Sequence, residues 1–97
     1  MMLALVFDGS TCIIDVPPFI ANDARSYQDK FFEWICDESI DHQYWHYVNG
    51  RKIGLAYDVD VFVEWLNSAP LKDYIEVAKV VARDAVDSSE ELPSLFF

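Results

Sequence analysis

The dipeptide Asn49-Gly50, set between YWHYV and RKIGLAYD, constrains this chain more than any other feature. A two-residue type I′ turn needs φ > 0 at both central positions, which Asn and Gly tolerate, and the flanking runs are rich in strand-forming residues. A hairpin is therefore expected across these two runs. Asp8-Gly9 sends the same signal between LALVF and STCIIDV. With a two-residue loop, Leu5 faces Cys12 and Leu3 faces Ile14, giving a largely apolar face that Phe7 extends. Pro17-Pro18 ends the second strand, because proline has no N–H to offer a ladder.

The rest of the chain reads as helix. From about Asn22 to Ser39, with Asn22 or Asp23 as N-cap, the apolar positions Ala24, Tyr27, Phe31, Trp34 and Ile35 fall on one stripe. Asp29, Glu33 and Asp37 lie on the opposite side, four residues and so about 6 Å apart along the axis. DVDVFVEWLN predicts a short helix from about Asp60 to Asn67, broken by Ser68-Ala69-Pro70. Tyr74, Ile75, Ala78, Val81, Ala82 and Ala85 predict a last amphipathic helix over about Leu71–Val86. The order is ββαββαα. The fold class is α+β, with two antiparallel β-hairpins joined in one four-stranded sheet and two to three helices on one face. At 97 residues, 1–97 forms a single compact domain.

Charge narrows the function. Seventeen Asp and Glu against seven Lys and Arg leave a net charge of −10. That field repels nucleic acid and anionic membrane and draws in basic surfaces over ~8–10 Å. The expected partner is a basic protein or ribonucleoprotein complex, with no direct nucleic acid and no membrane contact. A homodimer is the alternative, burying LPSLFF and the aromatic sheet face against a second copy. MMLALVF has a short apolar run and no basic flank, so it reads as a strand and not as a signal peptide. Cys12 and Cys36 do not make a disulfide framework, and both sit in apolar patterns as small hydrophobes. A cytoplasmic location is the simplest expectation, the host cytoplasm if the gene is phage-borne.

The densest chemistry lies in FFEWICDESIDHQYWHY, residues 31–47. Cys36, His42 and His46 offer a C-x5-H-x3-H spacing, but a strand over 44–48 separates the two histidines by ~13 Å, too far to share a metal. His46, opposite Ile53 in the two-residue-loop register, is expected to be packed. VFDGST places Val6 where a DxDGT phosphatase motif needs its nucleophilic aspartate. Neither a GxSxG elbow nor a phosphate-cradling glycine loop occurs. No catalytic residues, metal ligands or cofactors are predicted, and the expected protein is not an enzyme.

What remains is a surface. Trp45 and Tyr47 are expected to point outward, where aromatics flanked by acids make interface anchors, the alternative being that Trp45 only covers Gly54 across the strand pair. Asp29, Glu33, Asp37 and Asp41 form a carboxylate ladder that can oppose Arg and Lys in the manner of a phosphate backbone. Partner-binding residues are thus predicted to be Asp29, Glu33, Asp37, Asp41, Trp45 and Tyr47.

Residues 47–67, YVNGRKIGLAYDVDVFVEWLN, resemble the hairpin-then-helix layout of a small bacteriophage type I-F anti-CRISPR inhibitor. The resemblance covers about a fifth of the chain and carries over no binding residue. It implies a phage-encoded, non-enzymatic inhibitor that blocks the nucleic-acid-binding surface of a CRISPR effector. An immunity or antitoxin protein capping a basic nuclease is the neighbouring alternative.

Overall fold

The computed structural model describes residues 1–7, 9–83 and 92–97. Strand β1 (Met2–Phe7) pairs antiparallel with β2 (Ser10–Asp15) in the register expected, Leu3 opposite Ile14 and Leu5 opposite Cys12. Gly9 at the turn has φ +82°, while Asp8 lies outside the described residues. Helix α1 (Pro18–Asn22) starts at the proline that ends the strand path, since a proline in the first turn forfeits no helical bond. Asp23 separates it from α2 (Ala24–Ile35). The single helix expected over 22–39 is thus shorter and is preceded by a helical turn of its own.

Strand β3 (Trp45–Val48) and β4 (Arg51–Leu55) form the second hairpin around Asn49 (φ 52°) and Gly50 (φ 76°), the left-handed pair that the turn requires. Helix α3 (Val59–Ser68) follows, with the Asp58 carboxylate accepting from Val61 N–H at 3.2 Å as its N-cap. Strands β5 (Lys79–Ala82) and β6 (Ser94–Phe96) complete the described elements.

Two expectations are corrected here. The hairpins do not share a sheet: β5-β2-β1-β6 make one four-stranded sheet, and β3-β4 stand apart as a two-stranded one. Both open edges of the first hairpin are filled from the C-terminal part of the chain, β5 antiparallel beside β2 and β6 parallel beside β1. And the helix predicted over 71–86 is not helical across its described residues, 71–83. The Asn67 side chain accepts from Ala78 N–H (2.7 Å) and donates to Ala78 C=O (2.9 Å), so it satisfies the backbone there as a sheet neighbour would. Beyond that clamp, Val80 and Ala82 are half-buried while Lys79 and Val81 are exposed, a period of two. Val80 and Val81 are β-branched, and pairing of Val80 with Ile14 and of Lys79 with Asp15 overrides the weak helical stripe. Tyr74 and Ile75 are exposed, and Ala85 lies outside the described residues.

Leu3, Leu5, Ile14 and Leu95 on one sheet face join a single core with Ile20 and Ala21 of α1, Ala24, Phe31 and Ile35 of α2, and Phe62, Trp65 and Leu66 of α3. Phe31 sits at its centre, edge-on to Phe62 (5.2 Å), Trp65 (5.6 Å), Tyr57 (5.8 Å) and Phe97 (6.3 Å). Gln28, a polar residue on the same stripe, is buried because its amide donates to Phe96 C=O at 2.7 Å, tying α2 to β6. Replacing Phe31 with Ala should cost ~3–5 kcal/mol, the range for a large-to-small change at a closed aromatic site. Urea denaturation checks this, and a loss below ~1 kcal/mol would contradict the central placement of Phe31.

Candidate functional site

Helix α2 ends at Ile35, and Cys36 adopts φ −89°, ψ −3° as its C-cap. The carboxylate ladder therefore stops short. Asp29 and Glu33 remain on the solvent side of α2, whereas Asp37 has left the helix. Its Oδ1 accepts from the Ser39 hydroxyl (2.7 Å) and the Ser39 amide (3.0 Å), a local turn that competes with helical bonding. These two bonds, the hydroxyl first, hold the Asp37 carboxyl below its ordinary value. Asp41 is 80% exposed and pairs with Lys52 Nζ at 2.7 Å, which lowers the Asp41 carboxyl and raises the Lys52 ammonium. The four predicted acids thus divide into two free of ion pairs among the described residues, Asp29 and Glu33, and two that hold local structure.

The aromatic predictions divide as well. Tyr47 is exposed, as expected. Trp45 is only half-buried: its indole Nε1 donates to Ile40 C=O at 2.7 Å, and one face lies 5.0 Å beneath Lys52 Nζ. Lys52 also donates to Glu38 C=O. Trp45 and Lys52 therefore fasten the hairpin to the 37–41 turn, support that a lone two-stranded sheet needs.

His46 is exposed and not packed. The pairs run Val48–Arg51, Tyr47–Lys52 and then His46–Gly54, so Ile53 is an extra residue in β4. This bulge turns Ile53 outward, 58% exposed, and inverts the facing expected beyond it. Cys36 is likewise exposed rather than packed, and Cys12 is half-buried.

His42 takes the structural role instead. Its Nδ1 accepts from Tyr44 N–H at 3.2 Å, which leaves Nε2 to donate to Ile35 C=O at 2.9 Å. Both nitrogens are spent on backbone, and the ring lies parallel to Trp45 (2°, 5.3 Å) and 4.7 Å from Trp34. Among the described residues no three His, Cys, Asp or Glu side chains gather as a metal site.

Sequence reasoning missed a cavity of about 250 Å³ walled by Trp34, His42, Tyr44, Trp65 and Glu64. Val61, Glu64, Trp65 and Ser68 reach it from one face of α3, at the i, i+3, i+4, i+7 spacing that signals a shared helix face. Tyr44 hydroxyl donates to Glu64 Oε2 at 2.9 Å. Burial, with the Glu64 charge adding to it, pushes the Tyr44 phenol above its ordinary value. Elsewhere, Phe19, Tyr74 and Ile75 line an open hollow of about 630 Å³.

The chain matches no family model, no curated protein and no solved structure. Among the described residues no helix is long and apolar enough to cross a membrane.

The Asp37 turn carries a pH signature. The folded carboxyl titrates below the unfolded value of 3.8, so the turn's contribution is complete above that value and is lost as pH falls through the folded one. In an NMR titration the Ser39 amide should move with a midpoint below 3.8, and Ser39→Ala should return the Asp37 midpoint toward it. A midpoint at or above 3.8 would contradict the hydrogen-bonded turn.

Proposed function

We propose that this protein is a non-enzymatic, acidic binding protein that occupies a basic surface of a macromolecular partner. In its most concrete form it is an inhibitor of the anti-CRISPR type, blocking the nucleic-acid-binding surface of a defence complex. The observation that carries this reading is the solvent side of α2. Asp29 and Glu33 stand there in no ion pair among the described residues, in a chain of net charge −10. Exposed carboxylates without internal partners keep their capacity for bidentate arginine contacts. Tyr47 supplies an exposed aromatic on the second hairpin, which Lys52 and Trp45 fasten to the 37–41 turn.

Asp41 and Trp45 enter this reading as supports for the presenting surface. Asp37 does too, so the informative variant leaves it untouched. Added to a purified type I-F CRISPR effector complex, the protein should reduce binding of target DNA in a gel-shift assay, more strongly at low salt. The Asp29→Lys/Glu33→Lys variant should lose the effect with an unchanged unfolding midpoint. Undiminished DNA binding would remove the anti-CRISPR form. Full inhibition by the double variant would remove the α2 face.

Self-association has one observation in its favour. Phe19, Tyr74, Ile75 and Val77 are all exposed, with Phe19 and Tyr74 rings 5.1 Å apart. Clustered apolar surface of this kind marks contact sites more often than scattered residues do. Of LPSLFF, Leu95 is buried and Phe97 stacks on Phe7 at 4.3 Å, while Phe96 is exposed. On this reading sedimentation velocity over a concentration series shows a dimer that Ile75→Asp dissociates. A monomer at every concentration excludes it.

A further inference from the structure

We propose that the cavity between α2, α3 and the 42–44 segment is a receptor for one arginine side chain of the basic partner. The inference rests on the binding reading above but concerns a different surface. Three features carry it. The first is the wall. Trp34 and Tyr44 stand 6.2 Å apart at 68°, Trp65 adds a third aromatic side chain, and His42 packs against Trp34 and Tyr44. Aromatic faces attract cations through their quadrupoles, and a guanidinium is flat, weakly hydrated and suited to stacking.

The second is the charge. Among the described residues Glu64 is the one acidic side chain lining the cavity, and no Lys or Arg lines it. Its Oε2 accepts from the Tyr44 hydroxyl, which fixes the carboxylate while leaving acceptor capacity. His42 has committed both nitrogens to Ile35 C=O and Tyr44 N–H, so it forms a wall and competes for neither ligand nor carboxylate. The third is size. About 250 Å³ lies under the ~300–1,000 Å³ typical of sites for whole small molecules, and suits a single side chain. Arginine fits better than lysine because the carboxylate can take two parallel N–H donors while the rings cover the guanidinium plane.

The test uses the full chain without any partner. Nα-acetyl-arginine methylamide and its citrulline counterpart, the neutral isostere, are titrated while indole N–H resonances are followed by NMR. The arginine probe should shift the Trp34 and Trp65 indoles saturably, and the citrulline probe should bind about tenfold more weakly or not at all. Glu64→Gln, which keeps an acceptor for the Tyr44 hydroxyl, should weaken the arginine probe by a similar factor. Equal binding of citrulline would overturn the proposal, as would shifts confined to the Asp29 and Glu33 amides or undiminished binding to Glu64→Gln. Because no partner is present, failure here leaves the α2-face reading standing. Failure of the double-lysine variant to lose inhibition would equally leave the cavity intact.

Discussion

Phe31 is the side chain on which the architecture depends. Fully buried on α2, it touches aromatic residues of α3, of the segment after β4, and of the chain just past β6. Those segments have little else in common, since β3-β4 shares no hydrogen-bonded ladder with the larger sheet. Edge-to-face packing of this sort adds ~0.5–1.5 kcal/mol per pair beyond the area buried. It also fixes ring orientation, so α2 and α3 are held at one angle. The cavity walled by Trp34 and Trp65 is the outer margin of the same aromatic cluster, because both residues also pack against Phe31.

The acids fall into two working groups. Asp37, Asp41, Asp58 and Asp60 serve the fold: a turn, an ion pair with Lys52, a helix cap and an ion pair with Arg83 at 2.7 Å. Each is exposed, and isolated exposed pairs contribute little to stability. Their effect is to fix where the hairpin and β5 lie. Asp29 and Glu33 are in no ion pair among the described residues. The binding reading therefore concerns the α2 face that carries Asp29 and Glu33 rather than the net charge of −10 as a whole.

Local chemistry was legible in the sequence where one short segment decides the outcome. Asn49-Gly50 produced its hairpin, Leu3 and Leu5 met Ile14 and Cys12 in the expected register, and the helix expected over about Asp60–Asn67 formed as Val59–Ser68. Of the predicted site, Asp29, Glu33 and Tyr47 are exposed as expected. Asp37 was misplaced because Ser39 offers its carboxylate two donors that end the helix early. His46 was misplaced because one extra residue, Ile53, reverses facing along a strand.

What the sequence determined by itself was the chain's charge, its turns and its apolar stripes, all set by residues close in the chain. Only the tertiary structure decided which segments pair. Val81 falls on a helical stripe although Val80 and Val81 are β-branched, and the open edge of β2 together with the Asn67 clamp selects the strand. The same holds for the cavity: Trp34, Tyr44 and Glu64 are distant in the chain and wall one space only once Phe31 draws α2 and α3 together. Contacts between distant residues carry no local signal, because their free energy is gained only when the whole core closes.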